Sequence, residues 1–161
     1  MDLRKRLQMV DNKIEYHASG ELKWALPLDH LVLIAEYTTN QGPYVDDHFV
    51  VFVTIESEEI YFLSCSFYAE GRKSVLNDLA NRLGAGCESG LTGASAGLTE
   101  WNSRVVWPPH MLGKPLFTFT SAPPPHVRNA LLNRVLGKAY AYAISANVRE
   151  YIEAERCNRK A

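Results

Sequence analysis

The chain has 161 residues, 47% hydrophobic and 22% charged, a balance that fits a single soluble globular domain over residues 1–161. Its longest apolar runs, Leu31 to Ala35 and Phe49 to Val53, are too short to span a bilayer, and a net charge of −1 gives no global field to draw in nucleic acid. Three cysteines (Cys65, Cys87 and Cys157) without CxxC spacing argue against a disulfide framework or a thiolate zinc site and fit a reducing cytoplasm.

In chain order, the basic start Met1 to Leu7 has no apolar stretch behind it, so no secretory signal is expected. Leu3, Leu7, Val10 and Ile14 recur at spacings of four, three and four, which predicts a helix over residues 2–18 stopped by Ser19-Gly20. Glu21 to Leu26 alternates and reads as an edge strand before Pro27. Three β-branched and aromatic runs follow: His30 to Thr39, His48 to Thr54 and Glu59 to Tyr68. Broken by polar turns, they predict an antiparallel meander. The link 39–47 carries Gly42-Pro43 and is too long for a tight hairpin, so it is expected to project, with Tyr44 at its tip.

Val75, Leu76, Leu79, Ala80 and Leu83 make an apolar stripe, predicting a helix from Arg72 to Leu83 with Gly84 as its stop. The Gly84–Gly97 stretch, with five glycines in fourteen residues, reads as a loop. Ser103 to Pro108 and Lys114 to Thr120 read as two short strands. After Pro123 to Pro125, a broad apolar face predicts one long helix over about residues 125–156 with a basic tail. The fold class is therefore α+β: an antiparallel meander with N-terminal, middle and long C-terminal helices. Strands two and three are apolar on both sides, so both sheet faces are expected to be covered, one by helices and the other by a second subunit.

Charge is unevenly distributed. Between Glu36 and Glu59 stand six acids and no Lys or Arg, whereas Arg128 to Ala161 holds seven bases against three acids. Two solvated faces of opposite sign account for this most simply.

Motifs with catalytic associations lack their context. Gly93-Ala-Ser95-Ala-Gly97 matches G-x-S-x-G, but the nucleophile elbow needs a strand before the serine and a helix after it. Neither flank fits, and nothing singles out His110 or His126 as base or Glu100 as orienter. Gly84-x-Gly86 continues into neither a dinucleotide fingerprint nor a phosphate loop. The best acid-plus-imidazole cluster is Asp46-Asp47-His48 with Glu36 on the neighbouring strand, a donor set able to bind a divalent cation or move protons. Adjacent Asp46 and Asp47 point to opposite faces when extended, so at most one joins His48 directly. Turn chemistry is the commoner use of such aspartates. No catalytic residue, metal ligand or cofactor is assigned. The sheet aromatics lack interleaved bases, which disfavours a nucleic-acid platform.

The order helix, three strands, helix, two strands, helix resembles that of the small type III secretion chaperones. Leu91-Thr-Gly-Ala-Ser-Ala-Gly-Leu98, followed by Arg104-Val-Val, is similar to their glycine-rich turn into a strand. The resemblance implies a dimerising αβββαββα domain that holds a partner protein. The chain departs from it in an isoelectric point near 6.5, where those chaperones are more acidic. On these grounds the chain is expected to be a non-enzymatic protein-binding module, a homodimer engaging another protein, with Tyr44, Asp46, Asp47, His48 and Glu36 as contact residues. The alternative is a small enzyme or metal-binding protein using Glu36, Asp46, Asp47 and His48. A third class is a small-molecule or lipid site under the long helix, where Phe62 and Phe67 argue that the space is filled.

Overall fold

The structure is a computed structural model that describes residues 4–39, 46–88, 91, 102–120 and 141–160. Tyr44, Ser95, Glu100, Trp101 and His126 lie outside the described residues.

The first segment departs from the expected helix. Residues 5–27 form a three-stranded antiparallel meander of β1 (Lys5–Val10), β2 (Lys13–Ala18) and β3 (Glu21–Pro27). The helical reading failed for a geometric reason. Leu7 pairs across from Tyr16 and Met9 from Ile14, so these four share one face. The two-residue turn Asp11-Asn12 shifts the inward parity from odd to even positions, and the resulting seven-residue step from Leu7 to Ile14 imitates two helical turns. The second turn, Ser19-Gly20, places both residues at positive φ (55° and 77°), as a tight right-twisted hairpin requires.

The expected central meander is present. A 3₁₀ turn, Leu28–His30, leads into β4 (Leu31–Thr38), followed by β5 (His48–Glu56) and β6 (Glu59–Ser66). With β7 (Asn102–Trp107) they form one antiparallel sheet in the order β6-β5-β4-β7. Helix α1 spans Arg72–Leu83, and Gly84 caps it in the left-handed conformation. The long C-terminal helix is shorter than expected. Ala141–Ile144 is a strand, β9, paired with β8 (Phe117–Thr120), and helix α2 runs only over Ala146–Lys160. Ser145 makes the switch: its N–H donates to the Leu116 carbonyl as the strand ends, and its own carbonyl accepts from Arg149 N–H as the helix begins.

Both faces of the four-stranded sheet are covered by this chain itself, where a second subunit had been expected on one. On one face Ile34, Val50, Phe52 and Val106 pack against Leu7, Ile14 and Leu26 of the small sheet and Val75, Leu76 and Leu79 of α1. On the other, Val32, Leu33, Val51, Val53 and Val105 meet Met111, Leu116 and α2's Val148 and Ile152. Each fully buried aliphatic side chain of this kind contributes about 1.5–3 kcal/mol. Hydrogen bonds fix α2 to the sheet: Tyr151 Oη donates to the Val32 carbonyl, and Arg159 donates to the carbonyls of Asp29 and Leu31.

The sheet edges are treated unequally. The outer edge of β7 is closed by its own chain, with Val105 N–H donating to Lys114 and Gly113 N–H to Val105. The outer edge of β1 is bridged by Glu70, which accepts from Leu7 N–H and donates to the Lys5 carbonyl. That bridge requires a glycine next to it. Gly71 sits at φ 77°, and a Cβ there would lie 2.3 Å from the Leu7 carbonyl oxygen. Gly71→Ala is therefore expected to lose about 1–2 kcal/mol from the left-handed backbone and about 1–3 kcal/mol from the forced shift of β1. Urea unfolding measures this; wild-type stability would show that the β1–Glu70 seam contributes nothing.

Candidate functional site

The hairpin register brings two of the expected site residues together. Thr38 lies opposite His48 and Glu36 opposite Val50, so Glu36 and His48 are diagonal neighbours on one face of β4 and β5. Both side chains are 1% exposed. His48 Nε2 lies 3.1 Å from Glu36 Oε2, and pairing with a carboxylate assigns the proton to that nitrogen. The other carboxylate oxygen accepts from the backbone N–H of Leu91 at 3.0 Å and lies 3.4 Å from Arg104 Nε, an ion pair without hydrogen-bond alignment. Arg104 stands directly across from Glu36 on β7.

The remaining expected residues diverge. Asp46 forms an ion pair with Lys5. Burial alone would raise its carboxyl, but hydrogen bonds from Lys5 and Ser66 outweigh that and hold it below the usual carboxylate range. Asp47 accepts from Tyr68 Oη at 2.8 Å on the surface, and that hydrogen bond, followed by burial, raises the phenol. Neither aspartate joins His48: their opposite facing left room for one, but Asp46 is taken up by Lys5 and Asp47 by Tyr68. Among the described residues, no three His, Cys, Asp or Glu side chains converge to hold a metal ion. His110 is exposed and stands edge-on to Tyr151.

An aromatic stack adjoins the junction. His48 lies parallel to Phe67, with centroids 3.8 Å apart and planes 8° apart, while the Arg72 guanidinium sits 3.7 Å from the same ring centroid. Two groups that close cannot share one face, so Phe67 is sandwiched between imidazole and guanidinium. Desolvation lowers the Arg72 pKa, opposed by the negative potential of Cys65 and Glu36. The sequence reading missed Phe67, Arg72, Leu91 and Arg104 as parts of this site. Arg104 had a signal: it is the one charged residue within β7, the strand that the fold places beside the acid-bearing β4.

Chemically, the arrangement ties structure together. Each Glu36 oxygen has a donor, and the carboxylate joins β4, β5, β7 and the segment carrying Leu91. The buried thiols are equally unreactive in design: burial pushes Cys65 up to about 12 and Cys87 up to about 11. Comparison with known proteins adds no relative: no protein-family profile, curated protein or solved structure matches the chain.

Glu36→Gln is expected to destabilise the fold by about 1–3 kcal/mol, because a neutral amide replaces the acceptor shared by His48 and the Leu91 N–H and removes the charge facing half-buried Arg104. Adding Arg104→Gln should restore part of the loss in a double-mutant cycle, and additive losses would show that the two side chains do not interact. For the cysteines, a thiol reagent at pH 8 should label only exposed Cys157 in the native chain and all three after unfolding. Rapid native labelling of Cys65 would contradict its burial.

Proposed function

We propose that this chain is a protein-binding module, chaperone- or adaptor-like in role, whose partner adds an extended segment to the outer edge of β6. Support comes from the unpaired backbone of Ile60 and Phe62. The two-residue turn Ser57-Glu58 makes Glu56 and Glu59 a hydrogen-bonded pair, so alternate residues from Ile60 onward direct N–H and C=O away from β5. Farther along that edge, Ser64 C=O accepts from Trp24 Nε1 and Ser66 N–H meets Tyr16 Oη. Ile60 and Phe62 have no such partner among the described residues. An open edge of this kind is the template for strand addition.

The composition of the edge favours use over protection. Ile60-Tyr-Phe-Leu-Ser64 carries no charge, no proline and no bulge. The outer edge of β3, by contrast, has Glu21, Lys23 and a terminal Pro27, and a register shift interrupts its pairing with β2; these are features that blunt edge pairing. Exposed Glu56, Glu58 and Glu59 surround the turn, so the complementary segment alternates apolar residues with Lys or Arg, and its charge speeds encounter. Tyr61, 41% exposed, supplies an aromatic anchor on the same strand. A second copy fits this edge less well, because symmetric β6–β6 pairing runs into Trp24 at Ser64. Glu36 and His48, being buried, position the sheet in this reading and do not touch the partner.

Selection from a display library of random peptides tests the proposal. Selected peptides should be cationic and alternating, and their binding should slow amide hydrogen exchange at Ile60 and Phe62, which exchange fast in the free chain. Ile60→Pro removes an outward donor without touching the β5 ladder and should weaken binding at least about tenfold. Protection confined to other elements, or slow exchange at both positions in the free chain, would rule the β6 edge out.

A further inference from the structure

We infer that the groove beside α1 is a binding site for a small oxyanion, of carboxylate or phosphate chemistry, held by Arg72 and Lys73. The groove encloses about 440 Å³ and runs from Phe67 along the Arg72, Lys73 and Asn77 side of α1 to Cys87 and Glu88. It lies on the opposite side of Phe67 from the Glu36–His48 junction and is separate from the β6 edge.

The argument rests on Arg72. A guanidinium has five N–H donors in a fixed fork and no acceptor of its own. Arg72 is only partly exposed, and among the described residues its guanidinium makes no hydrogen bond and no ion pair, resting instead on the Phe67 ring face. A ring face satisfies the charge in part, but it offers no lone pair to the N–H groups. Five other arginines each reach an oxygen: Arg82 reaches Asn12, Arg104 reaches Glu36, Arg149 reaches Ile144, Arg156 reaches Glu153, and Arg159 reaches Asp29 and Leu31. Arg72 thus presents a clamped but unused fork to a groove.

The surroundings favour an anion. Lys73 adds a second, exposed cation, and Asn77 one turn later offers an amide donor on the same wall. Among the described residues, Glu88 is the single carboxylate lining the groove, against two cations. The first turn of α1 carries no acidic residue, and Gly71 at its start has no side-chain cap. Leu76 and Ala80 complete an apolar floor, suited to a ligand whose oxyanion is attached to a small hydrocarbon body. Because stacking on Phe67 holds the fork in place, binding requires little ordering of the arginine.

The test is an NMR titration of the whole chain with inorganic phosphate and, separately, acetate, at ionic strength held constant with chloride. The Arg72 Nε–H resonance and the Phe67 ring resonances should shift and saturate with at least one oxyanion at millimolar concentration. Tighter phosphate binding assigns a phosphate-bearing ligand, and tighter acetate binding a carboxylate. Arg72→Lys, which keeps the charge and loses the fork, should weaken binding about tenfold or more, as should Lys73→Gln at its exposed position. A linear response no larger than that of chloride, or an unchanged response in both variants, would overturn the site.

Discussion

Glu36 occupies the middle of β4, a strand flanked by β5 and β7 and covered on both faces, where its carboxylate is 1% exposed. An unpaired ionised carboxylate at such a place costs several kcal/mol, so the groups that compensate it are obligatory. Each comes from a different part of the chain: His48 from β5, Arg104 from β7, and the Leu91 N–H from the segment after α1. The requirement then propagates outward. His48 must be buried to reach Glu36, Phe67 covers the imidazole, and Arg72 covers Phe67 at the start of α1. One buried charge thereby sets the relative placement of the sheet, the helix and the loop between them. Replacing the cluster by apolar residues of similar volume could leave stability unchanged. What the carboxylate adds is register, since only one alignment of β4, β5 and β7 satisfies all its partners.

Much of this frame was legible in the sequence because local pattern and tertiary role coincide there. β4, β5 and β6 are dense in β-branched and aromatic residues with polar breaks, and α1 carries a regular stripe ended by Gly84, so propensity, periodicity and capping agree. The placement of Glu36 on the strand neighbouring His48 was legible as well. The failures have specific causes. A two-residue turn between β1 and β2 produced a helical spacing from strands. Ala141 to Ile144, whose alanines suit a helix, were recruited into a strand by pairing with Phe117 to Thr120. Leu91 was invisible as a site residue because its contribution is a backbone N–H, which has no sequence signature; Arg104 stood out only as the one charged residue of β7, and its place across from Glu36 depends on a strand order that local pattern does not give. The separation of Asp46 from Asp47 was readable, but their destinations, Lys5 and Tyr68, were not, since those contacts span 41 and 21 residues.

The edges of the sheets show where this economy of closure stops. β7 and β1 are each closed by backbone hydrogen bonds from a neighbouring segment, so chain that already had to pass nearby also protects them. Among the described residues, β6 receives protection only over its second half, where Trp24 and Tyr16 reach across from the small sheet. Its first half follows a turn built at some energetic expense. Ser57 and Glu58 both take positive φ, 49° and 73°, in a turn type that Asn-Gly fills readily. Left-handed backbone costs roughly 1–2 kcal/mol at each ordinary residue. Glu58 recovers little of that through its exposed ion pair with Lys160, because such pairs are worth less than about 1 kcal/mol. A turn selected for folding alone would carry glycine at that position. An acidic side chain held there in a strained conformation, next to the uncharged edge from Ile60 to Ser64, is what the proposed cationic partner segment would meet.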